Sequence, residues 1–464
     1  MSGAGFETAG AIAAAVGVRR CRAADMVAAT LERIARDDAR LNAFTAVTAE
    51  RARSRAAAVD AATAAGTPPG PLAGVPFAVK NLIDIAGLPT VAGSRINRDN
   101  PPAVADATLV ARLEAAGAIL VGALNMGEYA YDFTGENRHD GPSRNPHDPA
   151  RMTGGSSGGS GGAVAGGLVP LALGSDTNGS IRVPSSFCGV FGLKPTYGRL
   201  SRAGSFPFVS SLDHLGPLAR CTRDLALAYD AMQGPDPADP VCAARPAEPV
   251  ADQLTLGAAG LRVATAGGYF RTGAAAEALS ALDAVASALG ATREIEIPEA
   301  ARARAAAYVI TASEGAALHL DRLRERPDDF DPEVRDRLIA GALVPGAAVV
   351  RAHKFRRWFR AAVLRLFDEV DAILAPATPC VAPPIGQKTF VLDGRELPLR
   401  PNIGIYTQPI SFIGLPVVAA PVPPTRGLPI GVQIIAAPWR EDVALRLSHH
   451  LEAEGVVRAP RPPG

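Results

Sequence analysis

A lysine and two serines, Lys80, Ser156 and Ser180, are the side chains whose types and positions suggest covalent catalysis. A serine hydroxyl attacks an amide carbonyl near neutral pH only when a base lies within hydrogen-bonding distance. Lysine can be that base where burial keeps its amine neutral, whereas arginine keeps its proton in proteins. Lys80 ends the apolar run Val75–Val79, where such burial is expected. The alternative is an ordinary lysine whose stem packs on apolar surface.

Both serines lie in glycine-rich segments. Ser156 belongs to GGSSGGSGG, which on its own could be a flexible linker. The tract continues into an apolar, helix-like stretch and then a strand, so both of its ends are expected to be anchored in a core. It lacks the GK[ST] of a phosphate-binding loop and the preceding strand of a nucleophile elbow. Ser180 ends the turn SDTNGS, whose backbone N–H groups could stabilise an oxyanion, unless the turn only joins a strand to a loop.

The surrounding sequence alternates between helical and strand-like patterns. Residues 7–65 predict helices, because apolar residues recur on one stripe between charged ones. A helix and a strand are expected within residues 106–124, and Arg/Ala-rich helices within about residues 265–370. The other predicted elements are a helix at Ala163–Val169 and strands at Val75–Val79, Leu171–Leu173, Leu261–Ala264, AILAP, VVAAPV and GVQII. The alternation predicts one large α/β domain over residues 1–464.

Composition limits the classes of partner. The 464 residues carry a formal net charge of +1, which gives no electrostatic reason to expect nucleic acid or a membrane surface. The N-terminus does not resemble a signal peptide, and no apolar stretch has the length of a membrane span. Five scattered cysteines suit a cytoplasmic protein with reduced thiols, and no Cys/His cluster has metal-ligand spacing. Only four of the 47 basic residues are lysines, namely Lys80, Lys194, Lys354 and Lys388. Because arginine carries nearly all the positive charge, each lysine is a candidate for a role that arginine cannot perform.

Three segments together resemble the amidase signature family. They are GVPFAVKN, the tract GGSSGGSGGAVAGGLVPLALGSDTNGSIRVPSSFCGVFGLKPTYGR, and GLPIGVQIIAAPWRED. The resemblance covers about residues 25 to 450 and implies an α/β fold with a large mixed central sheet covered by helices on both faces. Within the domain we expect N-terminal helices at 7–65, a signature core at 70–225, a helical insert at about 265–370, and C-terminal strands and a helix at 371–455.

By motif position, the resemblance implies that Ser180 is the nucleophile, Lys80 the base, and Ser156 the serine that passes the proton between them. It also implies a cis peptide bond between Gly155 and Ser156. The expected oxyanion hole consists of the backbone N–H groups of Thr177, Asn178, Gly179 and Ser180, with Asn178 standing where many relatives carry glycine. The implied reaction forms an acyl- or carbamoyl-enzyme that water hydrolyses, without a metal or cofactor.

The segments SRAGSFPFVSSLDHLGPLARCTRDLALAYDAMQGPDP and YTQPISFIGLPVVAAPV resemble the carboxybiuret and biuret hydrolase branch of the family. That branch acts on small urea-like substrates, and a homodimer or a small helical partner subunit is expected with it. Gly127 and Asp140 depart from the aspartate and the aromatic residue expected there, in a region expected to border the substrate pocket. The alternatives are a urethanase or aryl acylamidase acting on carbamates and anilides, and a glutamine-hydrolysing amidotransferase A subunit.

Several more residues are candidates for the substrate pocket, each with a structural alternative. Arg182 could bind a substrate carboxylate, although a structural ion pair is the commoner role. Gln408 could present its amide to a urea-like group. Glu314 and His319 fall in a helical segment and suit a solvated face. The whole candidate set is Asn125, Met126, Tyr129, Tyr131, Gly154, Gly155, Arg182 and Gln408.

Overall fold

The computed structural model describes residues 7–67, 70–424 and 427–463. Residues 1–6, 68–69, 425–426 and 464, which belong to the predicted domain of residues 1–464, lie outside the described residues. Within the described part, eleven strands form one mixed sheet in the order β1-β3-β2-β6-β8-β7-β14-β15-β11-β9-β10. The strands of this sheet are β1 (Phe44–Val47), β2 (Pro76–Lys80), β3 (Ile119–Leu124), β6 (Leu171–Asp176), β7 (Phe191–Lys194), β8 (His214–Ala219), β9 (Val263–Ala266), β10 (Arg293–Ile295), β11 (Ala372–Pro376), β14 (Val417–Val422) and β15 (Ile430–Ala436). Two separate hairpins pair β4 (Arg144–Asn145) with β5 (Asp148–Met152), and β12 (Thr389–Leu392) with β13 (Arg395–Pro398).

Helices cover both faces of the sheet. They bury their apolar stripes, as Val27, Leu31 and Ile34 of the second helix do. The helices are α1 (Ala9–Gly17), α2 (Ala23–Leu41), α3 (Ala49–Ala64), α4 (Thr108–Ala115), α5 (Gly158–Ala165), α6 (Arg182–Cys188), α7 (Thr222–Met232), α8 (Ala276–Ala288), α9 (Ala300–Glu325), α10 (Pro332–Ala342), α11 (Gly346–Leu364), α12 (Leu399–Asn402), α13 (Gln408–Ser411) and α14 (Glu441–Ala453). The large mixed sheet with helices on both faces, which the resemblance implies, is confirmed.

Most predicted elements are present, and the differences are local. The helix and strand expected within residues 106–124 are α4 and β3, and the three strand-like pieces of the tail are β11, β14 and β15. The helix expected at Ala163–Val169 begins earlier, inside the glycine-serine tract, and ends at Ala165. Residues 7–65 are not helical throughout, because β1 pairs with β3 at the sheet edge. The Arg/Ala-rich segment similarly contains β10, which extends the sheet beyond β9.

Two parallel neighbours, β2 and β6, bring the candidate catalytic residues together. Val79 of β2 lies opposite Leu173 of β6. The last residues of β6 therefore extend beyond Lys80, which is the last residue of β2. Parallel strands end at the same edge of a sheet, and the loops after their carboxyl ends share one crevice. Lys80 closes β2, and residues 177–180 follow β6 directly. The topology therefore places the lysine beside the loop that carries Ser180.

Across the described ranges, no single helix is long and apolar enough to cross a membrane. A joined pair, Pro332–Ala342 with Gly346–Asp368, passes the length and composition test but is bent by 95° at the break.

Candidate active site

Lys80 lies at the centre of the candidate site, fully buried at the end of β2. Its Nζ donates to Ser156 Oγ at 2.6 Å and to Ser175 Oγ at 2.8 Å. The lysine and the first candidate serine, 76 residues apart in sequence, are thus in direct contact. Ser175, at the end of β6, is a second partner that the sequence analysis missed.

Burial sets the protonation of Lys80. It lowers the pKa of the amine from 10.5 to about 7, and the carboxylates of Asp176, Asp213 and Asp132 only partly oppose this effect. Desolvation disfavours the ammonium form, which is the condition under which a lysine acts as a base. A substantial fraction of Lys80 is therefore neutral at physiological pH.

The glycine-serine tract is packed backbone and not a linker. The peptide bond between Gly155 and Ser156 is cis, as predicted, and every residue of α5 is buried. A Cβ at Gly159 would lie 2.5 Å from the Ala43 carbonyl oxygen and 2.6 Å from the Asn125 amide nitrogen. The glycines allow α5 to approach this neighbouring backbone closely, which holds Ser156 against Lys80.

The loop after β6 offers a row of free hydrogen-bond donors. Among the described residues, the backbone N–H groups of Thr177, Asn178, Gly179 and Ser180 donate to no protein acceptor. Ser180 is only 3% exposed, so these donors converge in a sheltered place. Successive free N–H groups beside a hydroxyl have the arrangement of an oxyanion hole.

Gly179 gives this loop its shape. Its φ is +142°, and a Cβ there would lie 2.2 Å from Thr407 Oγ1, which itself donates to the Asn178 carbonyl at 2.7 Å. Gly179→Ala is expected to displace the loop and to lower kcat by roughly 10²–10³-fold, the usual cost of one oxyanion donor. Steady-state kinetics on any substrate of the enzyme measures the effect.

The matched control for that variant is Gly386→Ala. Gly386 also has a positive φ, of +82°, but a Cβ there meets no atom within 4 Å. This control should keep the parental kcat. Equal kcat for Gly179→Ala and the parent would refute the role of the loop.

An ion pair inside the protein anchors the same loop. Arg182, fully buried at the start of α6, donates to both carboxylate oxygens of Asp176 at 2.9 Å. It also donates to the Thr407 carbonyl at 3.1 Å and to Gln433 Oε1 at 2.6 Å. Because these protein acceptors surround its guanidinium, Arg182 does not reach a substrate. Of the two roles considered for Arg182, the structure shows the ion pair, which positions the loop.

Two more side chains fix the loop from its other side. Thr177 Oγ1 donates at 2.6 Å to Asp213, which also accepts the N–H groups of Phe208 and Val209. Asn178 Nδ2 donates to Thr311 Oγ1 at 3.0 Å, while the buried Asn178 Oδ1 has no partner within the described chain. The asparagine that departs from the family pattern thus leaves one free acceptor beside Ser180.

Ser180 opens into a small pocket of about 20 Å³. Its walls include Tyr131, Asp132, Phe208, Tyr308, Thr311, Arg337 and Gln408. A second cavity of about 240 Å³ reaches Ser175 and Asp213 and shares Ala130, Thr177 and Phe208 with the first. The two cavities therefore meet at Thr177, in the loop after β6.

The structure sorts the candidate pocket residues into two groups. Tyr131 and Gln408 line the pocket of Ser180. Asn125, Met126, Tyr129, Gly154, Gly155 and Arg182 are not among the residues that line it. The Asn125 amide, for example, donates to the carbonyls of Asn42 and Gly141, so it joins two loops.

Three other expectations need correction. Gly127 lies where a Cβ would be 2.4 Å from Asp132 Cβ, so an aspartate does not fit there. Asp140 pairs with Arg98 and lines a different groove, so it does not border the pocket. His319 is fully buried and not on a solvated face, because its ring lies 4.0 Å from that of Tyr129 inside an aromatic cluster.

Arg337 is a cationic residue of the pocket wall that the sequence analysis missed. The guanidinium lies 3.9 Å from the Tyr131 ring centroid and donates to the Tyr131 carbonyl. It forms no ion pair within the described residues, and burial lowers its pKa. Arg337 occurs far from the motif segments, in a helix with two arginines, so the sequence offers no local signal for it.

No group of three or more His, Cys, Asp or Glu side chains that could hold a metal ion occurs in the described part of the chain. The candidate site brings together the hydroxyls of Ser156 and Ser175, the amine of Lys80, and the loop of residues 177–180 that carries the hydroxyl of Ser180.

The sequence and the fold both match known amidases. The Amidase family model matches residues 25–445. AtzE of Pseudomonas sp. strain ADP, which forms part of a 1-carboxybiuret hydrolase, is 56% identical over 441 residues, which cover 95% of this chain and 96% of that protein. The A subunit of the glutamyl-tRNA(Gln) amidotransferase of Roseiflexus sp. strain RS-1 is 39% identical over 451 residues, which cover 91% of each chain.

A solved structure is also similar to this one along nearly its whole length. It belongs to work on a vestigial protein complex that reveals the evolutionary origins of an s-triazine catabolic enzyme. The TM-score is 0.97 at 55% sequence identity, over 98% of this chain and 100% of that chain. With the family model and the relatives in agreement, the chain belongs to the amidase signature family and is an amidase, a hydrolase of carbon–nitrogen bonds.

Proposed function

We propose that the enzyme hydrolyses a small, urea-like amide that carries a negative charge, through an acyl- or carbamoyl-enzyme on Ser180. Neutral Lys80 takes the proton of Ser180 through Ser156 while the Ser180 oxygen attacks the carbonyl carbon. The N–H groups of residues 177–180 stabilise the resulting oxyanion. The proton then passes back to the leaving nitrogen as the C–N bond breaks, and water releases the acyl group by the same path.

The geometry around Lys80 supports this order of proton transfers. The 2.6 Å contact between Lys80 and Ser156 supports the step between Ser156 and Lys80. A pKa of about 7 lets the amine both accept and return a proton near neutral pH. Ser175 holds the amine from a second direction and limits its rotation.

Arg337 is the single observation that carries the substrate class. A partly buried guanidinium without a carboxylate partner is costly unless a ligand supplies the charge. Arg337 lies in the wall of the pocket that holds Ser180. Asn178 Oδ1, also in that wall, is a free acceptor for a substrate N–H. A donor for an anion and an acceptor for an amide N–H together suit a carboxylated urea, such as the 1-carboxybiuret named for the relative from Pseudomonas.

A turnover panel tests the proposal. The purified enzyme would be offered 1-carboxybiuret, biuret, an anilide, an aryl carbamate and glutamine, each beside Ser180→Ala as the blank. We expect the highest kcat/KM on 1-carboxybiuret. Turnover confined to anilides and carbamates would assign the chain to the urethanase or aryl acylamidase alternative. Turnover of glutamine alone would assign it to the amidotransferase alternative.

Arg337→Met should separate anion recognition from the chemical step. We expect KM for 1-carboxybiuret to rise by roughly 10–100-fold, because a charge-assisted contact of about 1.5–3 kcal/mol is lost. KM for uncharged biuret should change little. Arg335→Met is the matched control, because Arg335 lies on the same helix, pairs with Asp328 and Asp336, and does not line the Ser180 pocket. Equal losses on both substrates would contradict the anionic-substrate assignment.

We also propose that the chain works with a second polypeptide, either a copy of itself or a small helical subunit. The relative from Pseudomonas is described as one subunit of its enzyme, and the similar solved structure belongs to work on a protein complex. Light scattering gives the mass of the purified enzyme, alone and after co-expression with a small helical subunit. The mass distinguishes each of the two arrangements from a monomer.

A further inference from the structure

Helix α11 concentrates positive charge on a chain that is nearly neutral overall. No Asp or Glu occurs between Asp336 and Asp368, whereas the whole chain has 47 basic and 46 acidic residues. The basic side chains of this helix are Arg351, His353, Lys354, Arg356, Arg357 and Arg360. Within the described residues, His353 alone among these has an acidic group within ion-pair distance, Glu314 at 3.9 Å. The charge of the helix is therefore largely uncompensated by the protein itself.

Part of this charge lines a groove of about 440 Å³. His353, Arg356, Arg357 and Arg360 form one wall, and no Asp or Glu is among the lining residues. Seven residues of helix rise by roughly 10 Å, so these cations are spread along about two turns. Their spacing suits several anionic groups on one ligand better than a single small anion.

The rest of the lining has different chemistry. Tyr197 and Trp439 contribute aromatic rings, and Ala361, Leu364 and Ile413 contribute apolar surface. Trp439 is held by Arg245, whose guanidinium carbon lies 4.8 Å from the ring centroid. A groove lined by cationic, aromatic and apolar side chains suits a ligand that combines apolar and anionic groups.

The groove is held open by fixed side chains. Arg356 donates to the Phe412 carbonyl at 2.5 Å and to the Ser211 carbonyl at 2.7 Å, so its guanidinium is immobilised. Burial, with the charge of Arg360 nearby, lowers the pKa of Arg356. An anionic ligand would relieve the repulsion between these neighbouring cations.

We propose that this groove binds an acidic segment of a partner protein, with an apolar side chain against Ala361, Leu364 and Ile413 and at least two carboxylates on Arg357 and Arg360. A nucleic acid fits less well, because the whole chain has a net charge of only +1 and provides no extended basic field. None of the groove residues lines the pocket of Ser180. The proposal therefore does not depend on the proposed reaction.

Fluorescence anisotropy with the full-length chain tests this site. The probe is a short fluorescein-labelled peptide in which glutamates flank a central leucine. The Arg357→Glu/Arg360→Glu variant should bind it roughly tenfold or more weakly, because two charge-assisted contacts become repulsive. Affinity should also fall as ionic strength rises. Amidase turnover should remain at the parental level in the variant, which shows that it is folded.

The matched control is Arg351→Glu/Lys354→Glu, which reverses two exposed charges of the same helix outside the groove. This control should keep most of the peptide affinity. Binding that is lost equally in both double variants, or a glutamine-for-glutamate peptide that binds as tightly, would overturn the proposal. So would the absence of any peptide binding. A single-stranded oligonucleotide that binds more tightly than the peptide would assign the groove to nucleic acid instead.

Discussion

Replacing Ser180 with alanine is expected to lower kcat by roughly 10⁵–10⁶-fold, the scale seen when a nucleophilic serine is removed. Without the hydroxyl no acyl-enzyme forms, and the oxyanion donors and the pocket provide only residual catalysis. Folding should be unaffected, because Ser180 Oγ makes no hydrogen bond with any described residue. The measurement is kcat by steady-state kinetics, with mass spectrometry of the trapped covalent intermediate in the parent.

Ser287→Ala is a control for that variant, because Ser287 is an exposed serine on α8, far along the chain from the site. It should keep parental kcat and thermal stability. An adduct found on a serine other than Ser180, or full turnover by Ser180→Ala, would refute the assignment of the nucleophile.

Replacing Lys80 with methionine should produce opposite changes in activity and stability. kcat should fall by roughly 10²–10⁴-fold, the usual contribution of a positioned general base. The shift of the Lys80 pKa from 10.5 to about 7 is a cost of several kcal/mol to the folded protein. Two lost hydrogen bonds of about 1 kcal/mol each do not cancel it, so the free energy of unfolding should rise by about 1–3 kcal/mol.

The pH dependence of activity and of stability follows from the lowered pKa of Lys80. Because the pKa of Lys80 is lowered in the folded protein, the amine loses its proton as pH rises through about 7. Parental kcat/KM should therefore rise across this range. The unfolded chain binds the proton up to much higher pH, so the stabilising effect of Lys80→Met is largest at pH 7 and below and shrinks as pH approaches 10.5. A flat activity profile between pH 6 and 8 would contradict the proposed base.

The motif residues could be predicted because their chemistry is local in sequence. Arginine supplies nearly all the positive charge of this chain. A lysine at the end of an apolar run, as Lys80 is, therefore indicates a need for an amine that can lose its proton. The structure gives Lys194 a similar environment, with full burial and a pKa lowered to about 7. Scarcity alone therefore does not separate a base from a packed lysine. The contact of Lys80 with Ser156 makes that distinction.

The pocket could not be predicted in the same way, because its walls come from distant segments. Arg337 belongs to α10 and Thr311 to α9, both outside the motif segments. Arg182 follows the nucleophile directly, yet a helical turn takes its side chain into the core beside Asp176. β1 and β10 were missed for a related reason. Each is a short edge strand that forms because it pairs with a neighbouring strand, β3 or β9, and not because its own sequence has a strand pattern.

The position of β14 and β15 in the sheet has a consequence for how the protein is made. These late strands lie between β7 and β11, so they join the half of the sheet that carries Lys80 and Ser180 to the half that contains β9 and β10. Gln433 of β15 also accepts the hydrogen bond that helps to fix Arg182 behind the oxyanion loop. The candidate site residues are therefore translated long before the strands that join the two halves of the sheet. We expect a nascent chain that lacks β15 to show no turnover, because domains fold as units and the loop that carries Ser180 is not yet fixed.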